Sequence, residues 1–327
     1  MLDSNSVRKR RDLSVSVVTG GAGFIGSHLV TRLARDGQQV RVLDTLASAA
    51  SQRRAAVLAQ MPGVEVITGD IRDAGVCRQV LRDADFVFHH AAEASVPQSI
   101  KDPATCVAVN LGGLVNLLEA ARAAQSVQRF VFASSCAVYG NLPGAEKSED
   151  SPVDPLSPYA VSKLAGEQLC RNYFHLHGLQ TVCLRYFNVY GPDQDPNGTY
   201  AAVIPKFISA ILKSEKPIVY GDGEQSRDFV FVQDIVEANL LASVAPPEAA
   251  GKSFNIGSGR STSLNRVLEK LAASTDKVLA LDRQPPRSGD IKNSRADIAA
   301  AAKLLGFLPK IGLEDGLART LHWYQSE

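Results

Sequence analysis

The chain is poor in the residues that mark secreted, metal-loaded or nucleic-acid-binding proteins. Its five cysteines (Cys77, Cys106, Cys136, Cys170, Cys183) are scattered over 327 residues, with no C-x-x-C pair and no histidine at ligand spacing. That pattern predicts free thiols and no metal site. His89 and His90 are adjacent at a strand end, where neighbouring side chains face opposite ways, which disfavours a shared metal. Lys and Arg number 35 against 34 Asp and Glu, and a net charge of +1 argues against nucleic acid or an acidic membrane as partner. No apolar run reads as long enough to span a membrane, and the basic leader (Arg8 to Arg11) is followed by a strand without a cleavage-like site, so a cytoplasmic location is expected. There is no internal repeat and no low-complexity tract.

What the chain does have is glycine, placed between a strand and a helix. Val15, Val17 and Val18 form a β-branched run, Gly20, Gly21, Gly23 and Gly26 follow, and from Phe24 an apolar helical pattern begins with Ile25, Leu29, Val30 and Leu33. Such a turn lets a diphosphate approach the main chain and the helix N-terminus, whose free N–H groups favour anions. A second strand, Gln39 to Asp44, ends in a carboxylate eighteen residues after Gly26, near where a dinucleotide fold binds the adenosine ribose. Asp44 therefore argues for NAD over NADP, whose 2′-phosphate it would repel.

Strand and helix then alternate. Val64 to Thr68 reads as strand three, with Asp70 and Ile71 at its carboxyl edge as candidates to grip the adenine. Val76 to Leu81 fits a helix and Asp85 to His90 a fourth strand, running into Ala91 and Ala92, small enough for backbone to pass close to a cofactor. Pro103 to Ala124 reads as a long helix, Arg129 to Ser135 as strand five, Tyr159 to His177 as a helix and Gln180 to Phe187 as strand six. Six alternations predict an α/β, Rossmann-type, doubly wound parallel sheet. Beyond Asn188 the alternation loosens. The expected division is 12–187 plus about 227–258 as the NAD-binding unit, and 188–226 plus about 259–327 as a smaller C-terminal α/β substrate unit, with a return to the sheet around Asp228 to Leu241 and residues 1–11 as a disordered leader.

Tyr159 and Lys163 are four apart, one turn from each other on one helix face. A cation near a phenol, with a positive nicotinamide, lowers the phenol pKa and makes a general base for a sugar hydroxyl. Following Ser134 and Ser135 at a strand end, the pair gains meaning that it lacks alone.

With these residues in place the chain resembles an extended short-chain dehydrogenase/reductase, and more narrowly a nucleotide-sugar 4-epimerase. The resemblance rests on Thr19 to Gly26, Gly69 to Ile71, Ser135 four before Tyr139-Gly140, Tyr159-x-x-x-Lys163, Arg185 to Asn188 and Arg227 to Phe229, in that order. Ser95 to Ile100, Gln194 to Gly198, Tyr200 to Pro205 and Gly289 to Ser294 are similar to the group acting on UDP-N-acetylglucosamine. The resemblance implies bound NAD, a UDP-sugar substrate and a homodimer built through a four-helix bundle. It implies that Tyr159 takes the proton of the 4-hydroxyl, Lys163 tunes Tyr159 and holds the nicotinamide ribose, and Ser135 bonds the 4-oxygen. Asn188, Arg227 and Arg287 would hold the diphosphate, and Asn110 matches a position near the lysine, although a helix-face Asn bound to backbone is an equal reading. Tyr186 joins the cofactor set, and Ser95, Cys136, Val203 and Ser294 the substrate set.

Departures select among reactions. Cys136 and Ala137 stand where related 4,6-dehydratases carry Asp-Glu, and Ala137 stands where UDP-glucuronate decarboxylases carry Glu, so elimination and decarboxylation lose support. Cys136 reads as a small buried thiol rather than a nucleophile. Ser294, where narrow-specificity epimerases have tyrosine, leaves room for a 2-acetamido group. Glu93 in place of the usual Leu disfavours an anionic hexuronate. UDP-glucuronate 4-epimerisation, another oxidoreductase of the same fold, and a non-catalytic NAD-binding role remain the alternatives.

Overall fold

The computed structural model describes residues 14–142, 144, 146–196, 202–275, 280–286 and 292–326. Its centre is a sheet of seven parallel strands: β1 (Val15–Thr19), β2 (Gln39–Asp44), β3 (Val64–Thr68), β4 (Phe86–His89), β5 (Arg129–Ser135), β6 (Thr181–Tyr186) and a last strand at Lys252–Ile256, in the order last strand-β6-β5-β4-β1-β2-β3. Parallel strands are covered on both faces, which is why Val15, Val17 and Val18 are buried together instead of alternating.

Helices α1 (Phe24–Arg35), α2 (Ala49–Leu58), α3 (Ala74–Val80), α4 (Val96–Lys101), α5 (Pro103–Ala124), α6 (Pro158–His177), α7 (Val203–Leu212), α8 (Val232–Ser243), α9 (Leu264–Ala273), α10 (Ala299–Leu305) and α11 (Leu313–Ser326) complete the fold. Their starts follow capping chemistry. Ser157 accepts from the Ala160 N–H with Pro158 at the first helical position, and Asp73 accepts from the N–H groups of Gly75 and Val76. The cap at Asp73 moves the start of α3 ahead of the apolar pattern, to Ala74. Pro97 and the Ser95 cap make α4, a stretch to which the sequence analysis assigns no element.

One core lies on each sheet face. Leu29, Val30 and Leu33 of α1 pack with Val131, Leu184, Ile235 and Phe254, and Leu114, Leu117 and Leu118 of α5 pack with Phe130, Phe132 and Cys170. A third cluster, with Ile204, Phe207, Val219, Phe231, Val267 and Leu317, forms the smaller unit.

Three expectations change. The sheet has a seventh strand, Lys252–Ile256, inside the expected 227–258 segment, while the return around Asp228 to Leu241 is made by α8 packing on the sheet. Phe229–Phe231 pairs with Asn188–Tyr190 in a separate two-stranded piece, because three residues form only a short ladder, and α8 then lies on the main sheet. Ala301, Leu305 and Phe307, which the sequence analysis puts in the smaller unit, join the core of the sheet. Lastly, α5 is long and apolar enough to cross a membrane by length and composition, although no such run was expected. Its place between β4 and β5, with 44% of its apolar window buried, makes it a flanking helix of the sheet.

At the β1–α1 turn Gly20 has φ +66°, and a Cβ there would lie 2.6 Å from the backbone nitrogen of Ala91. Gly20→Ala should therefore lower unfolding free energy by about 1–3 kcal/mol, measured by urea denaturation; an unchanged midpoint would show that the Ala91 segment gives way freely.

Candidate functional site

The carboxyl edge of the sheet carries the site, and the glycine turn forms one wall. Gly20 N–H donates to Leu43 O and Gly23 N–H to Gly20 O. The first turn of α1 has no side-chain cap, which leaves its N–H groups pointing outward as an anion site. Gly26 sits so close that a Cβ would lie 2.2 Å from Gly20 O. Phe24 packs edge-on to His28, and Ile25 lines the main cavity. Asp44 accepts from the Ala22 N–H (3.1 Å) and the Leu46 N–H (3.0 Å), bracing the turn.

Two side chains that sequence reasoning missed also grip this turn. Arg54, 7% exposed, donates to Ala22 O (3.3 Å), Asp193 Oδ2 (2.8 Å) and Asp193 O (2.5 Å), while His28 bonds Pro192 O (2.9 Å). They tie the turn to the 191–196 loop, whose Gln194 lines the main cavity. No local pattern marks Arg54, because its partner is 139 residues away.

Asp70 is bonded by Arg72, which holds its carboxyl below the ordinary 3.8. The Ile71 side chain is used in packing: a Cβ at Gly113 would lie 2.4 Å from Ile71 Cδ1. Ala91 and Ala92 are half-buried where the chain passes Gly20. Asn110, in a π-helical turn (Ala108–Gly112) of α5, accepts from the Glu93 N–H (2.8 Å) and donates to Glu93 O (3.1 Å) and Ser162 Oγ (2.9 Å), so it holds the loop after β4 against α6.

Tyr159 and Lys163 are on the first turns of α6, facing the end of β5. Lys163 Nζ is buried, donates to Ala133 O (2.7 Å) and lies 5.0 Å from the Phe132 ring centre and 5.7 Å from that of Tyr159. Burial pushes its ammonium down to about 8. Burial pushes the half-buried Tyr159 phenol up to about 12, opposed by a hydrogen bond with Ser135. The expected lowering by Lys163 does not act on the phenol in the protein alone, where the Ser135 bond is what opposes desolvation. Tyr186 is buried, its hydroxyl paired with Asn239 and its ring stacked on His90 (6.0 Å, 19°).

A cavity of about 850 Å³ runs from Ser135 and Tyr159 past Asn188, Val203 and Arg227, and a second of about 470 Å³ adds Cys136 and Ser294 on the other side of the same serine and tyrosine. The structure so gathers Ser135, Cys136, Tyr159, Asn188, Val203, Arg227 and Ser294, which span 160 positions of sequence, around one space. Burial pushes the Cys136 thiol up to about 12, so it stays protonated. Ser95 is apart from both cavities and caps α4. The Glu93 carboxylate accepts from the Ser95 N–H (3.0 Å) and lines neither cavity, which removes the charge objection to an anionic sugar. Arg287 lies outside the described residues.

A sequence profile of the NAD dependent epimerase/dehydratase family matches residues 16–257. The chain is 38% identical over 314 residues to the UDP-glucose 4-epimerase of Mycolicibacterium smegmatis, covering 95% of this chain and 99% of that protein. A UDP-N-acetylglucosamine 4-epimerase from Methanobrevibacter ruminantium, solved in complex with UDP-N-acetylmuramic acid, superposes with a TM-score of 0.91 at 38% identity, covering 97% of this chain and 99% of that one. A UDP-glucuronic acid 4-epimerase from Bacillus cereus, in complex with UDP-glucuronic acid and NAD, superposes at 0.88 with 31% identity over 95% and 99%.

Because Lys163 loses its proton near 8 in the fold and near 10.5 when exposed, the unfolded chain binds more protons between those values, and stability contributed by this group rises with pH across that window. The wild type should therefore gain on Lys163→Met by up to about 3 kcal/mol from pH 8 to 10.5, read from denaturation midpoints. A pH-independent difference would place the ammonium in solvent.

Proposed function

The chain belongs to the NAD dependent epimerase/dehydratase family, and on that premise we propose that it inverts C4 of a UDP-sugar, with UDP-N-acetylglucosamine and its C4 epimer as the leading pair and UDP-glucose and UDP-galactose as further substrates. The observation that carries the reading is that Ser135 and Tyr159 stand at the wall shared by the two cavities, with Lys163 buried beside them and its Nζ 5.7 Å from the Tyr159 ring centre.

The residues at the β1–α1 turn fit a dinucleotide: a glycine cradle that Cβ atoms would fill, an uncapped helix N-terminus and the Asp44 carboxylate. Gly20, Gly23, Phe24, Ile25 and Gly26 would hold its diphosphate region, Asp44 its adenosine ribose, and Asp70, Ile71, Ala91, Ala92, Asn110 and Tyr186 would frame the rest. When bound, oxidised NAD supplies a hydride acceptor for C4 and a positive ring charge. Tyr159 takes the proton from the 4-hydroxyl, and Ser135 donates to the 4-oxygen as it gains carbonyl character. Lys163 adds positive charge that favours the phenolate over the value of about 12 set by burial. The space lined by both cavities would let the 4-keto sugar turn so that its other face meets the cofactor, while Asn188, Arg227 and Arg287 would keep the diphosphate in place.

The small side chains of Cys136, Ala137 and Ser294 around the second cavity support room for an acetamido group. A second reading, a UDP-hexuronate substrate, is favoured by one observation: the described lining of that cavity includes Lys147, Arg227 and Lys292 and no carboxylate.

We also propose a cytoplasmic homodimer. Ala104, Val107, Ala108, Leu111, Gly112 and Val115 form a partly exposed apolar stripe at helical spacing on α5, and Val161 and Leu176 are exposed on α6. Two copies of this pair would make a four-helix contact. Replacing Val107 and Val115 together by Glu should yield monomers in sedimentation equilibrium, whereas an unaltered dimer would place the contact elsewhere.

Purified protein without added NAD should interconvert the C4 epimers with no net NADH when given UDP-N-acetylglucosamine, UDP-glucose and UDP-glucuronate in parallel. Tyr159→Phe should lower kcat by about 10²–10⁴-fold with bound NAD retained. Consumption of added NAD or NADH without any epimer would instead make this an oxidoreductase.

A further inference from the structure

Ser135 is preceded by Ser134, which also lines the cavity of about 850 Å³ and whose bonding partners have no part in the chemistry above. Along β5 successive side chains face opposite ways: Phe130 and Phe132 enter the core beneath α5 and α6, Val131 and Ala133 the core on the other face. Ser134 falls on the α6 side, and its hydroxyl donates to Glu167 Oε1. Glu167 is one helical turn beyond Lys163, as Lys163 is one turn beyond Tyr159. Arg185 of β6 clamps the same carboxylate in bidentate fashion, Nε to Oε1 (2.9 Å) and Nη2 to Oε2 (2.7 Å), and Ser253 Oγ donates to Oε2 (3.0 Å). Arg185 Nη1 donates onward to the Tyr139 hydroxyl (2.9 Å), which donates to Asn255 Oδ1 (2.6 Å). Glu167 is 3% exposed and Arg185 6%.

Three consecutive residues of β5 are thus joined to three successive turns of α6: Ser135 to Tyr159, Ala133 O to Lys163, and Ser134 to Glu167. A buried ion pair is costly to assemble and weak as a stabiliser, but it orients what it touches. We propose that Glu167, held by Arg185 and bonded to Ser134, is a positioning residue that fixes the strand end carrying Ser135 against the helix carrying Tyr159 and Lys163. The inference rests on the reading of those three residues as the reacting set.

The same carboxylate acts on Lys163 through space. Burial drives the ammonium down to about 8, while Cys106 of α5 and Cys170 and Glu167 of its own helix push it up. The other groups facing it are Tyr159 and, from β4, His89 and His90. Glu167→Gln removes a negative charge and leaves Arg185 positive, and both changes make Lys163 give up its proton at lower pH.

Ser134→Ala keeps the Glu167–Arg185 pair and should fold; Ser134→Thr keeps the hydroxyl. In the epimerase assay Ser134→Ala should lose roughly tenfold in kcat, with KM within about twofold, and Ser134→Thr should recover most of it. Glu167→Gln should move the alkaline limb of kcat to lower pH. Independently of turnover, the Lys163 side chain in isotope-labelled protein should titrate at lower pH by NMR in Glu167→Gln than in wild type. Lower melting temperature with unchanged kcat, pH profile and Lys163 titration would overturn the proposal and leave the network a structural one. Absence of epimerisation by the wild type would overturn the epimerase reading instead, with the NMR titration still deciding the role of Glu167. Should Glu167→Gln fail to fold, the Ser134 pair decides: equal kcat in Ser134→Ala and wild type overturns the proposal.

Discussion

The structure depends on one close approach, that of Gly20 to the backbone at Ala91. In the sheet order, β1 is flanked by β2 on one side and β4 on the other, so the chain winds in opposite directions from this point. The connections after β1 and β4 therefore diverge and open a crevice at the carboxyl edge. At Gly20 the two segments touch with a backbone separation that no Cβ permits, next to the bond from the His90 N–H to Thr19 O. Asp44, Asn110 and Arg54 then fasten each side: Asp44 the N–H of Ala22, Arg54 its carbonyl, and Asn110 the loop that continues from Ala91.

Among the described residues buried charge is ion-paired between Arg54 and Asp193 and between Glu167 and Arg185, and other buried charges rest on neutral partners. Asp228 is fully buried between the two units and receives the N–H groups of Ser258, Gly259 and Ala296 and the hydroxyl of Ser258. Those bonds offset the burial that raises its carboxyl, and they bind the loops that frame the smaller cavity. Glu167 and Arg185 neutralise each other behind the strand end. Lys163, like Arg129, is buried without a carboxylate in bonding contact and donates to a backbone oxygen, and burial lowers its ammonium.

Much of the fold was legible because its signals are local. β-branched runs of strand length, helical apolar spacing and capping residues placed the strands of the main sheet up to Tyr186 and the helices between them, within a few residues. The seventh strand, Lys252–Ile256, is as long as β1 but lies between Gly251 and Gly257 where the strand–helix alternation has loosened, so nothing nearby distinguishes it from the small strands of the second unit. Site residues on recognisable motifs fell where a shared cavity needs them, whereas Ser95 and Ile71 are taken up by capping and packing.

The sequence by itself determined the strand–glycine–helix turn, the carboxylate that follows it, and a tyrosine and lysine one turn apart, because each is written within a few residues and needs only local geometry. The tertiary structure decided which of those groups meet. It turned Glu93 out of the cavities, linked Arg54 to Asp193 across 139 positions and set Glu167 between Ser134 and Arg185. It also decided protonation, since burial raises the Tyr159 phenol and lowers the Lys163 ammonium. Desolvation and long-range pairing depend on which surfaces are pressed together, and that is a property of the packed chain.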